Sequence, residues 1–137
     1  VVAVSVQPHE DARHHFALGR ALAPLREDNV LVIGSGSLTH NLGAIRTELG
    51  RNPVEADAPD WVVSFADWMN ARIGAGDVDA LVDYRARAPY AAANHPTDEQ
   101  LMPLYAAMGA AGPDGRGTRV HSSHEYGALM MDTYACT

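Results

Sequence analysis

Apolar residues along the chain form either short continuous runs or stretches with helical spacing. The runs at residues 1–6 and 29–34 are rich in Val, Leu and Ile and have the length of buried β-strands. Between them, over residues 9–26, apolar residues recur at steps of three and four, which is typical of an amphipathic helix. A helix between two such strands is the pattern of a parallel βαβ unit. We therefore predict an α/β fold with a mostly parallel sheet covered by helices on both faces.

The middle of the chain predicts helices. A turn of small residues at 35–42 is expected to start a short helix that reaches about residue 49, before an irregular loop. A wide apolar stripe over residues 61–73 predicts a buried helix that stops at the glycines following it. Asp77 is a suitable N-cap for the next helix, because its carboxylate can accept a hydrogen bond from a free backbone N–H.

The last third predicts one more helix and two late strands. Thr97 and Gln100 have the spacing of a capping box, with Thr97 as the cap and apolar residues following. Pro103 is expected to kink the start of that helix. Strands are predicted at residues 119–123 and 128–135.

Composition limits the classes of partner. The chain has 137 residues, 47% of them apolar, and a formal net charge of −7, which suits one globular domain and lacks the basic stripe of a nucleic-acid-binding protein. No apolar run has membrane-spanning length. The single cysteine, Cys136, excludes an internal disulfide, so we expect a reducing, cytoplasmic location. Because the sequence opens without Met in a β-branched run, we expect it to be the C-terminal part of a larger α/β domain.

Common catalytic motifs are absent from the sequence. Gly34 and Gly36 follow a predicted strand, but Thr39 stands where a dinucleotide-binding motif needs its third glycine. The chain has no Lys, which excludes a P-loop.

Histidine is the residue type through which this chain could carry chemistry. His40 follows the carboxyl end of a predicted strand, where ligands bind in open α/β sheets, and an imidazole there can move protons; a role in capping the next helix is equally compatible with its position. For His14 and His15 we expect one satisfied core residue and one exposed residue. His95 could line a pocket, although a loop histidine bonded to backbone is the more common case. His121 and His124 are expected at the surface.

Six segments of the chain form a recognisable set: HFALGR at 15–20, GSGSLTHNL at 34–42, HPT at 95–97, LMPL at 101–104, GAAG at 109–112 and EYGALMMD at 125–132. In the same order and spacing, they resemble segments of class III extradiol ring-cleavage dioxygenases of the LigB-like, DOPA-dioxygenase family. The resemblance covers nearly the whole chain.

The resemblance implies a site that opens a small aromatic diol with O₂ at non-haem Fe(II), replaced by zinc in some members. His40 matches the family's acid/base histidine, which lies close enough to the metal in zinc-bound members to count as a ligand. Asn41 and His95 are expected to bind the substrate.

Two departures from the family pattern concern the metal. Two family ligands lie in N-terminal segments that nothing here matches, and Gln100 stands at the position of a third, where a neutral amide binds Fe(II) weakly. We expect catalysis to require a missing N-terminal half, with self-association or a partner chain covering the exposed sheet edge. The alternative is a non-catalytic binding or assembly module that kept the fold and lost the metal ligands.

Overall fold

The computed structural model describes residues 1–44, 53–113 and 115–137. Its helices are α1 (Ala12–Leu22), a following 3₁₀ helix (Ala23–Asp28), α2 (Asp60–Ala75), α3 (Val78–Val82), α4 (Tyr84–Arg87), α5 (Ala91–Asn94) and α6 (Met102–Ala111). Its strands are β1 (Gly117–His121), β2 (His124–Glu125), β3 (Leu129–Met130) and β4 (Thr133–Cys136). The short helix predicted after Asn41 begins at residue 42, and its remainder lies outside the described residues. Within the described part of the chain, no helix is both long and apolar enough to cross a membrane.

Helices α1 and α6 pack against each other at unusually close range. Gly19 in α1 lies against the backbone carbonyl of Ala106, and Gly109 in α6 lies against the carbonyl of Phe16. A Cβ at either glycine would overlap the facing carbonyl, so the two backbones approach only because side chains are missing there. The pair of glycines thereby fixes how α6 sits on α1.

Helix α2 runs through the core as predicted. Val62, Phe65, Met69 and Ile73 are fully buried along one side. The helix ends at Gly76, whose φ of 67° is the left-handed conformation of a glycine C-cap. Asp77 then caps α3, its side chain accepting from the N–H of Ala80, as the sequence predicted.

The described strands form two small antiparallel sheets. β1 pairs with β4 and β2 pairs with β3, each in a two-stranded sheet. In the first sheet Thr118 lies opposite Ala135 and Arg119 opposite Tyr134. Helices and strands are thus both present, but the large parallel sheet of the prediction is not found among the described residues.

The strand predictions at residues 1–6 and 29–34 were wrong for this structure. Neither run belongs to a strand, and large side chains in both are exposed, with Leu31 at 79% and Ile33 at 76%. Apolar, β-branched side chains favour a strand because they pack well on a half-buried sheet surface. A strand also needs a neighbouring backbone with which its N–H and C=O groups can pair. No strand of the described chain pairs with either run.

The predicted capping box was also wrong. Helix α6 begins at Met102, with Pro103 in its first turn, and the Thr97 hydroxyl bonds to the Glu99 carboxylate instead of to a helix N–H. Proline fits the first helical turn because it has no N–H to donate there. Pro103 therefore sets the helix start and leaves Gln100 in the preceding turn.

Replacing Gly109 with alanine tests the close crossing of α1 and α6. In a helix Ala is favoured over Gly by about 1 kcal/mol, but here the new Cβ would collide with the Phe16 carbonyl. We expect Gly109→Ala to lower the free energy of unfolding in urea by about 1–3 kcal/mol.

The matched control is Gly74→Ala in α2, where the nearest neighbouring atom to the added Cβ is the Gly117 carbonyl oxygen at 4.0 Å. That variant should be neutral or more stable by up to about 1 kcal/mol. If both variants gain stability, the two helices are not held at this distance.

Candidate functional site

The segment that carries His40 is attached to the loop that carries His95. The N–H of Ser37 donates to the Gln100 carbonyl at 2.9 Å, and the N–H of His40 donates to the Asn94 carbonyl at 2.9 Å. The ring nitrogen Nε2 of His95 lies 2.7 Å from the Leu38 carbonyl oxygen. These bonds bring the two histidines into one region.

The opposite side of the same segment is attached to the β2–β3 hairpin. The Thr39 hydroxyl donates to the Ala128 carbonyl at 2.8 Å and accepts from the N–H of Met130 at 2.8 Å. Thr39 is fully buried. The backbone on either side of His40 is therefore held from two directions.

His95 is buried among aromatic rings, with one nitrogen left over. Its ring centroid lies 5.6 Å from that of Phe65 and 6.4 Å from that of Tyr84, and its exposed fraction is 0%. Burial lowers the pKa of His95 below its ordinary value, which favours the neutral ring. Because a carbonyl only accepts, Nε2 carries the proton toward Leu38 and Nδ1 keeps its lone pair. Nδ1 is buried and has no hydrogen-bond partner in the described part of the chain.

Tyr84 packs against the ring of His95 and is itself bonded to a carboxylate. The Tyr84 hydroxyl donates to Asp98 Oδ1 at 2.6 Å, and Arg85 also bonds to that oxygen. Burial, followed by the bond to Asp98, raises the pKa of Tyr84 well above its ordinary value. Tyr84 therefore stays protonated, and its uncharged ring packs against the ring of His95.

His40 is partly exposed, and its ring makes no hydrogen bond with any described residue. Its backbone N–H is bonded to the carbonyl of Asn94, the residue before His95. The structure assigns the helix cap to Asn41 instead: its Oδ1 accepts from the N–H of Ala44 at 2.9 Å. His40 is thus left free of the capping role that its position also allowed.

The two amide side chains near this pair have different surroundings. Asn41 uses both ends of its amide on backbone, since its Nδ2 also donates to the Ala93 carbonyl at 2.7 Å; its role in substrate binding stays a prediction. Asn94, which the sequence reasoning missed, is fully buried and donates to the carbonyls of Trp61 and Tyr90. Its Oδ1 has no partner among the described residues. Its place directly before His95 was the one signal in the sequence.

Gln100 lies along a different concavity. A groove of about 570 Å³ runs between residues 30–38, helix α6 and strand β4, and Gln100 contributes to its lining whereas His40, Asn41 and His95 do not. The role of Gln100 as a metal ligand stays a prediction. No cluster of three or more His, Cys, Asp or Glu side chains that could hold a metal occurs in residues 1–44, 53–113 and 115–137.

The remaining histidines have the surroundings expected of structural residues. His15 is buried with both ring nitrogens paired: Nε2 accepts from the N–H of Gln7 at 3.2 Å and Nδ1 donates to the Asp11 carbonyl at 2.8 Å. His14 is exposed, which confirms the prediction for this pair. His121 and His124 are also exposed, as predicted.

Comparison with known proteins places the chain in a family. The family model described as the catalytic LigB subunit of aromatic ring-opening dioxygenase matches residues 1–134. A 4,5-DOPA dioxygenase extradiol of Beta vulgaris is 36% identical over 137 residues, which is 100% of this chain and 49% of the relative. A protein of the same name from Escherichia coli is 29% identical over 113 residues, covering 80% of this chain and 40% of the relative.

A solved structure has a similar fold. An uncharacterized protein of Escherichia coli K12 aligns with a TM-score of 0.75 and 27% identity, over 97% of this chain and 53% of that protein. The chain thus spans about half the length of the proteins it matches. With residues 1–134 matched and the histidine-bearing segments joined as described, the chain belongs to the LigB family of aromatic ring-opening dioxygenases.

Proposed function

We propose that this chain contributes His40 and His95 to the centre of an extradiol dioxygenase that opens a catechol-type ring with O₂. The observation that carries the proposal is the unpaired, buried Nδ1 of His95, whose neighbour Asn94 is bonded to the backbone of His40. The relatives named for 4,5-DOPA cleavage support a catechol as the substrate class.

The donor set fits a metal ion in part. A histidine that binds a metal commonly donates its other ring N–H to a carbonyl or carboxylate, which is the arrangement that His95 makes with Leu38. A buried nitrogen with no partner costs free energy, and a bound cation would remove that cost. Gln100 is a weaker candidate because its neutral amide suits Fe(II) poorly and the residue lies along the groove.

Two imidazoles do not complete a site of three protein ligands. We propose that a further ligand comes from the portion of a family domain that this chain does not span. Fe(II), or zinc in its place, would supply open positions for the two catechol oxygens and for O₂. The chain's own contribution is to orient that centre and to handle protons.

His40 is suited to the proton transfer. Its ring is partly exposed, so a substrate hydroxyl can reach it. An imidazole can take the hydroxyl proton as the catechol binds and return it during ring opening. Tyr84, on the far side of His95, stays protonated and does not act as a competing base.

Replacing His40 tests this assignment directly. In the longest natural form that contains these residues, loaded with Fe(II), we expect His40→Ala to lower turnover of 4,5-DOPA or catechol by roughly 100-fold or more, since a positioned acid/base contributes about that much. Oxygen uptake and formation of the ring-opened product measure it. His9→Ala, at an exposed turn residue, is the matched control. Equal turnover in all three proteins would remove His40 from the mechanism.

A non-catalytic binding module remains the second candidate, favoured by the lack of a three-ligand cluster in the described residues. Metal analysis separates the two. Retention of iron or zinc after reconstitution, reduced by His95→Ala, supports the enzyme; no retained metal in the longest natural form supports the binding module.

We also propose that the groove accepts an extended polypeptide from the rest of the family domain. Leu31 and Ile33 are exposed on one wall. On the other wall β4 has one edge paired with β1 and no described strand on its second edge. Such an arrangement can take a further strand through backbone hydrogen bonds. The chain spans about half of the relatives' length. The occupant that we propose is a segment of the other half.

Alone in solution, the 137-residue chain is then expected to self-associate through this apolar wall. In light scattering, Leu31→Ser with Ile33→Ser should shift the chain toward monomer, whereas Val63→Ser, at a residue 40% exposed on α2, should not. Adding the polypeptide that matches the relatives' other half should disperse the unsubstituted chain. A monodisperse monomer that ignores that polypeptide would contradict the proposal.

A further inference from the structure

The Thr39 hydroxyl joins the segment that carries His40 to the β2–β3 hairpin. It donates to the Ala128 carbonyl and accepts from the Met130 N–H, 89 and 91 residues away in sequence. No strand of the described chain pairs with residues 37–40, so this side chain takes the place of a ladder contact to β3. Because Thr39 is fully buried, water does not compete for either bond.

The hairpin that receives these bonds is itself held in place. Tyr126 and Gly127 have φ values of 53° and 69°, and the N–H of Ala128 donates to the Glu125 carbonyl at 3.1 Å, which forms a tight turn of the kind that joins hairpin strands. The N–H of Tyr126 also donates to the Val54 carbonyl at 2.9 Å. The Ala128 carbonyl and Met130 N–H are therefore fixed points.

His40 is the next residue along the chain after Thr39. Its own N–H is bonded to Asn94 on the opposite side, so the peptide that joins Thr39 to His40 is held between the hairpin and the His95 loop. Loss of the hydroxyl would release one of the two sides. The released peptide could then rotate, and the imidazole would move with it.

We propose that Thr39 is a positioning residue that holds His40 in place for proton transfer through its two bonds to the β2–β3 hairpin. The proposal rests on the proposed function for the role of His40. The bonds themselves do not depend on that role, so they can be tested separately. Thr39 acts through His40 and is not itself expected to touch substrate.

The test compares Thr39→Val, which keeps the shape and removes both hydrogen bonds, with Thr39→Ser, which keeps the hydroxyl and loses a methyl. In the Fe(II)-loaded longest natural form, we expect Thr39→Val to lower kcat for catechol opening by roughly 10- to 100-fold with little change in KM, because a small misplacement of a reacting group has effects of that size. Thr39→Ser should restore most of kcat. If Thr39→Val does not fold, Thr39→Cys, whose thiol bonds weakly, replaces it.

Tyr105→Phe is the matched control, because it also removes one buried hydroxyl, which donates to the Leu81 carbonyl at 2.8 Å and not to the segment that carries His40. Histidine ring NMR of the metal-free protein gives the second readout: Thr39→Val should shift the His40 signals and leave those of His9 unchanged. Wild-type kcat in Thr39→Val, unmoved His40 signals, or an equal loss of kcat in Tyr105→Phe would each overturn the proposal. If the unsubstituted protein opens no ring, the proposed function fails, and the NMR comparison still decides the role of Thr39.

Discussion

Buried backbone polar groups must find partners, and around His40 they find them outside any sheet. The carbonyl of Leu38 receives His95, the N–H of His40 goes to Asn94, and the Thr39 hydroxyl bridges to the closing hairpin. The bonds that satisfy this segment are therefore the same bonds that bring the two imidazoles together. Geometry at the site follows from this constraint, and a change in any of the three partners would act on both histidines.

Burial alone does not separate a structural histidine from a functional one, and this chain contains both cases. His15 and His95 are exposed by 1% and 0%. His15 has a partner on each nitrogen, so its burial is compensated locally. His95 has one partner, on Nε2, and its Nδ1 remains unpaired in the described structure. An uncompensated nitrogen destabilises the fold unless something binds there, which is why His95 and not His15 belongs in the proposal.

Sequence pattern predicted elements whose cause is local. The α2 stripe, the Gly76 terminus and the Asp77 cap depend on residues a few positions apart, and all were confirmed. The strands predicted at residues 1–6 and 29–34 would need a partner backbone, which a sequence pattern does not reveal. The predicted capping box was wrong because the helix starts at Met102, with Pro103 in its first turn. At the site, His40 and His95 could be singled out by motif. Thr39 and Asn94 could not, because their importance comes from contacts to residues far away in sequence, such as Ala128 and Trp61.

The apolar groove and the histidine pair are parts of one continuous stretch of chain. Residues 30–38 form a wall of the groove, and Leu38, at its end, accepts the bond from His95. Ser37 likewise lines the groove and is bonded to Gln100. A polypeptide bound in the groove beside β4 would also lie against the segment that leads to His40. Covering the exposed Leu31 and Ile33 and completing the centre would then be consequences of a single binding event, driven mainly by burial of apolar surface.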